Sequence, residues 1–216
     1  MRVMNLPSQP DRLASVLFDQ YPLSEQGCIL INIVDAAVFE WLRGQGVAFV
    51  VQNFKPYGRE ALPPHSSVVV NKVGGAFQAA RRLIEQGHRR IGFAGLMRDR
   101  DGQLNEVYEG YLAALHCAGL EARAGDRVEF KTDDPLSAPQ LALPLLKGRS
   151  LPTAIVAQTD SVAIGLLKAC RTLGIRVPDD VSVTGFNDQA EAVLIVPPLT
   201  TVAVPRVQLG RVAAEM

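Results

Sequence analysis

Short apolar runs alternate with amphipathic stretches along this chain. Cys28-Ile-Leu-Ile-Asn32 is a compact apolar run of buried-strand type, and Ala37–Arg43 predicts a short helix stopped near Gly44 and Gly46. Val47–Gln52 predicts a second strand, and Ser67–Val70 a third. Pro56, Gly58, Pro63 and Pro64 mark the loop between them.

The clearest helical pattern covers Gly75–Gln86. Ala76, Ala79, Ala80, Leu83 and Ile84 fall on one face, Arg81, Arg82 and Glu85 fall on the other, and Gly87 ends it. Ile91–Gly95 then predicts a buried strand, Glu106–Cys117 a helix, and Val128–Phe130 a short strand. Leu141–Lys147 predicts a helix interrupted by Pro139 and Pro144. Ala154–Ala157 predicts a strand, and Asp160–Leu173 a helix stopped by Gly174. Val181–Gly185 predicts one more strand. Pro197, Pro198 and Pro205 read as framing a connection before a last helix from Val207. Strands and helices in this alternation make right-handed βαβ units, hence an α/β fold with parallel sheets covered on both faces.

Composition narrows the function. With Lys plus Arg at 22 and Asp plus Glu at 22, the net charge is zero. That is a poor match to a phosphate backbone, so the chain is not expected to bind nucleic acid alone. No apolar run is long enough to span a membrane, and the opening MRVMNLPSQPDRLAS lacks the apolar core of a signal peptide, which predicts a cytoplasmic protein. Cys28, Cys117 and Cys170 are far apart, and His65, His88 and His116 show no metal-ligand spacing. No metal or other cofactor is expected. His88-Arg89-Arg90 reads as cations at a helix C-terminus.

In open parallel sheets, ligands bind beyond the carboxyl ends of the strands. The residues there are Asn53, the loop of Gly95, Asp99, Arg100 and Asp101, then Phe130 with Asp133 and Asp134, then Gln158, Thr159 and Asp160, and finally Asn187 and Asp188. Such amides and carboxylates suit hydrogen bonds to neutral polyhydroxylated or heterocyclic ligands. Bland readings stand beside this one. Thr159 and Asp160 are also good helix caps, and Asn53, Asn187 and Asp188 are also turn formers. The chain has no G-x-S-x-G elbow, no P-loop and no G-x-G-x-x-G opening a helix, so no enzyme activity is expected.

Four segments carry a family resemblance. They are Leu83-Ile-Glu-Gln-Gly-His-Arg-Arg-Ile-Gly-Phe-Ala-Gly95, Pro152–Asp160 followed by Ala163-Ile-Gly165, Gly174–Asp188, and Pro197-Pro-Leu-Thr-Thr-Val202. In this order and spacing, with Gly110-Tyr111 between the first two, the chain resembles the effector-binding domain of lac/gal-type repressors. That resemblance implies two doubly wound parallel-sheet subdomains of periplasmic-binding-protein type I flanking a ligand cleft. One would be residues 1–88 plus 203–216, and the other 89–202. It further implies a homodimer in which a small-molecule effector, sugar-like or another polar metabolite, alters operator DNA binding through a separate helix-turn-helix domain.

The resemblance also carries departures. The Arg that sugar-binding members place three residues before Gly-Tyr is Val107 here. The Asn before the Asp of the second hallmark is Thr159, the first Asp after the aromatic of the third is Asn187, and the frequent Asp after the second strand is Asn53. Neutral groups thus stand where the family clamps hydroxyls with charge, which suits a less polar effector. The candidate ligand-binding set is Asn53, Val107, Phe130, Thr159, Asp160, Asn187 and Asp188. Met1-Arg-Val-Met resembles the family's second strand, so the chain is expected to lack the first strand, the DNA-binding domain and the final strands. Two rival readings remain at this point, a solute-binding protein of a transporter and an α/β enzyme.

Overall fold

The computed structural model describes residues 27–31, 36–52, 65–99, 102–130, 138–147 and 151–216. Asn53, Arg100, Asp101, Asp133, Asp134, the loop around Pro56 and the Met1–Met4 segment lie outside the described residues.

Among the described residues there are two parallel sheets. The first has β1 (Cys28–Ile31), β2 (Phe49–Gln52) and β3 (Ser66–Val68) in the order β1-β2-β3. The helix α1 (Ala36–Gly44) connects β1 to β2. Val38, Phe39 and Leu42 of that helix bury against Leu30, Val47 and Val51. The second sheet has β4 (Ile91–Gly95), β5 (Arg127–Glu129), β6 (Ala154–Ala157), β7 (Ser182–Asn187) and β8 (Thr200–Ala203). Its order is β5-β4-β6-β7-β8, all parallel.

The helices follow from the same apolar spacing. They are α2 (Lys72–Glu85), α3 (Glu106–Cys117), α4 (Ala138–Leu146), α5 (Asp160–Leu173) and α6 (Arg206–Glu215). On α2, Ala76, Ala80 and Leu83 are buried, while Arg81 and Glu85 pair in solvent at 2.8 Å. On α5, Val162, Ala163, Leu166, Ala169 and Cys170 are buried, and Gly174 ends the helix with a left-handed φ of 71°. The helix α4 runs through Pro144. Its start at Ala138 puts Pro139 in the first turn, where a missing N–H costs nothing.

The five-stranded sheet is buried on both faces, so β4 and β6 are buried at every position. Ala94, Ile155, Ala157 and Val183 face α4 and α5. Ile91, Phe93, Ala154, Val156 and Phe186 face α2 and α3. The last two helices approach closely at Gly110. A side chain there would fall on the Val73 carbonyl and on Ala76 Cβ.

Contacts divide the chain into Met1–Val70 with Pro205–Met216, and Asn71–Val204. The sequence division at residue 88 attaches α2 to the first subdomain. In the structure α2 packs with α3, β8 and β6 of the second, because its small-residue face fits the groove that Gly110 opens. The basic tripeptide splits in role. Arg89 caps the end of α2 through the Ile84 carbonyl at 2.9 Å, and Arg90 pairs with Asp126.

Candidate functional site

Because the five strands are parallel, their carboxyl ends share one edge. At that edge the residues immediately following β4, β5, β6 and β7 come together. The Gln158 N–H donates to the Ala94 carbonyl at 2.9 Å, and its side-chain oxygen accepts from the Leu96 N–H at 2.7 Å. Phe130 N–H donates to the Gly95 carbonyl at 3.2 Å. Gln158 therefore pins the end of β6 to the end of β4.

The candidates divide by exposure. Val107 is buried in the core beside α2, and its N–H is taken by the Asn105 side chain at 3.0 Å. Phe130 is buried among Ala94, Ala142 and Ile155. In this arrangement both line the core under the edge rather than face solvent. Thr159 is half-buried and caps α5, its Oγ1 accepting from the Val162 N–H at 3.3 Å. Asn187 is half-buried and Asp188 exposed. Both hold positive φ, 114° and 53°, two adjacent non-glycine residues in the left-handed region.

Asp160 is fully buried at 0% exposure. Its Oδ2 accepts from the Gln189 N–H at 2.7 Å and its Oδ1 from the Thr201 hydroxyl at 2.5 Å. Thr201 Oγ1 also accepts from the Asp188 N–H at 3.4 Å. Ser161 donates to the Gln189 side-chain oxygen at 3.2 Å. The start of α5 thus grips the turn that follows β7 from two consecutive residues.

Sequence reasoning missed Thr201, Gln189 and Ser161. Thr201 lies on β8, which the prolines around it disguise as a connection. The sequence signals for it are the β-branched run Thr200-Thr201-Val202 and its place in the Pro197–Val202 hallmark segment, neither of which assigns it a role. A separate groove of about 590 Å³ runs between α2 and β7–β8, lined by Gln78, Arg82, Gln86, Thr184 and Pro198. It lies toward the amino end of β7 and shares only Thr201 with the carboxyl-edge group.

Comparison with known proteins finds the following likenesses. A family described as "Periplasmic binding protein-like domain" matches residues 80–216. The chain is 35% identical over 153 residues to the HTH-type transcriptional repressor PurR of Serratia proteamaculans, covering 69% of this chain and 43% of that one. It is 34% identical over 149 residues to the HTH-type transcriptional regulator DegA of Bacillus subtilis, with the same coverage of 69% and 43%. Each match spans less than half of the regulator's length. Among solved structures, a transcriptional regulator CelR–cellobiose complex superposes with a TM-score of 0.75 at 30% identity, covering 95% of this chain and 61% of that one. A regulatory protein of the LacI family from Chloroflexus aggregans gives 0.74 at 28% identity, covering 88% and 66%.

Proposed function

The chain belongs to the periplasmic-binding-protein-like family, in its lac/gal-repressor branch, and from that premise we propose that it is the effector-sensing part of a transcriptional regulator. It binds a small polar metabolite at the carboxyl edge of the five-stranded sheet, and the bound metabolite alters operator binding by a separate domain. The observation that carries this reading is the edge itself. Gln158, Thr159, Asn187 and Asp188 converge there, and the last two sit in a conformation that only a well-determined turn sustains.

Of the residues the resemblance names, Thr159, Asn187 and Asp188 are the proposed contacts at this edge, and the buried Val107 and Phe130 support it from the core. The reading assigns no catalysis, since the relatives named above are regulators rather than enzymes. A transporter's solute-binding protein is the less favoured alternative, because the relatives named above are transcriptional regulators. A cytoplasmic location follows from the regulator role. Operator DNA is the business of another domain, since the chain has no net charge to offer phosphates. Association into a homodimer is supported by Val193, Leu194 and Val196, which are 69%, 77% and 91% exposed within four residues of one another. Sedimentation of the purified chain tests that association.

A thermal-shift screen of the full chain against sugars, sugar phosphates, polyols, purines and nucleosides tests the central claim. A ligand at about 100 times its dissociation constant adds about 2.7 kcal/mol of stability, a readable rise in melting temperature. One responsive class supports the reading and names the effector chemistry. A cooperative melt that no class shifts overturns it.

A further inference from the structure

We infer that Asp160 is the positioning residue of the carboxyl-edge site: acting through Thr201 and the Gln189 amide, it sets the left-handed Asn187–Asp188 turn that faces the effector. This rests on the effector reading above and deepens it.

A direct ligand contact is a poor description of Asp160. The side chain has no solvent exposure, and each carboxylate oxygen already accepts a short hydrogen bond from the protein. A helix cap is a poor description too, because Thr159 occupies that role at the same helix end. What remains is the geometry the carboxylate imposes. Thr201 has one hydroxyl proton, and it points at Asp160 Oδ1. The hydroxyl therefore turns a lone pair outward, where the Asp188 N–H reaches it. The carboxylate is fixed from behind as well. A side chain at Gly185 would fall on Asp160 Oδ1, so this position on β7 must be bare for the carboxylate to enter.

The relay thus joins four pieces of chain: the start of α5, the middle of β7, the turn after it, and the edge strand β8. Two consecutive residues with φ of 114° and 53° do not hold that conformation by local preference. A buried carboxylate that holds the Gln189 amide directly and the Asp188 amide through Thr201 supplies the constraint.

Replacing Asp160 itself risks unfolding a buried network, so the test uses Thr201 in the full chain. Thr201→Val keeps the shape and removes the hydroxyl, and Thr201→Ser keeps the hydroxyl. Amide hydrogen exchange is followed by NMR. In Thr201→Val the Asp188 and Gln189 amides are expected to exchange about tenfold faster while the Ile155 and Val156 amides of β6 hold their rates. Thr201→Ser is expected to restore slow exchange. Unchanged rates at Asp188 and Gln189, an equal acceleration in β6, or a serine variant that behaves as valine would each overturn the inference.

A second arm titrates sucrose, cellobiose, ribose, glucose 6-phosphate, sorbitol, adenine and adenosine against the same proteins. A probe that binds the parent chain is expected to bind Thr201→Val about tenfold more weakly, with recovery in Thr201→Ser. Equal binding to the valine variant despite faster exchange overturns the role of the turn in the site. If no probe binds the parent chain while the exchange pattern holds, the effector reading fails and the positioning of the turn stands.

Discussion

Arg90 holds Asp126 by two parallel hydrogen bonds, Nε to Oδ2 at 2.7 Å and Nη2 to Oδ1 at 2.5 Å. The Asp126 side chain is 2% exposed, whereas that of Arg90 keeps 26%. The pair ties the entry of β4 to the turn before β5, on the strand pair Phe93–Arg127 onward. Removing the guanidinium strands a buried carboxylate, which costs far more than a surface ion pair contributes. Arg90→Ala is expected to lose about 3 kcal/mol in urea unfolding, with the slope unchanged. A loss below about 1 kcal/mol would place this pair with ordinary surface bridges.

A second buried polar contact sits in the aromatic cluster on the other face of β4. The Tyr111 hydroxyl donates to the Ile91 carbonyl at 2.8 Å, with Phe93 and Tyr108 rings packed around it. Tyr111→Phe keeps the packing and deletes the donor. The expected cost is about 1 kcal/mol in the same unfolding experiment. A neutral substitution would mean that the Ile91 carbonyl is fully served by the sheet.

Close approach of α2 and α3 depends on the bare face of Gly110. Gly110→Ala puts a methyl group against the Val73 carbonyl and Ala76. Even though alanine favours helices, the variant is expected to be less stable by about 2 kcal/mol. A rise in melting temperature would show that the helices separate freely.

Thr159→Ala removes the hydroxyl that caps α5. The expected loss is about 1 kcal/mol of stability. Calorimetry with a probe identified by the ligand screen separates the cap from a contact. Weakened binding beyond that loss of stability assigns Thr159 to the effector as well.

Burial of Cys170 pushes its thiol from an ordinary 9.0 up to about 11. The group is neutral in the folded chain where the unfolded chain would ionise it. Its contribution to stability is therefore complete below pH 9 and is lost as pH rises to about 11. At pH 8, iodoacetamide is expected to label the exposed Cys117 first and Cys170 only on unfolding. Equal labelling rates in the folded chain would contradict this.

The central strands were legible in the sequence because β4 and β6 are buried at every position. Runs such as Ile91–Gly95 and Ala154–Ala157 have no polar position to blur them. The long helices were legible from their 3.6-residue spacing. Three features were not. The strand β8 is short, lies at the edge and is flanked by prolines, so it carries none of the marks of a central strand. The sequence pattern starts this helix at Gly75, whereas α2 begins at Lys72, where Asn71 caps the Gly74 N–H at 2.8 Å. The role of Asp160 was the least legible. Its partners lie 29 and 41 residues away, and no local pattern joins them.

The helix α6 packs on β2 and β3, although all of Asn71–Val204 separates it from them in the chain. The five-stranded sheet and its helices, by contrast, come from one unbroken stretch. During synthesis the ribosome delivers the second unit whole before it delivers the helix that covers the first. The early strands must therefore wait, partly uncovered, while their neighbour completes itself.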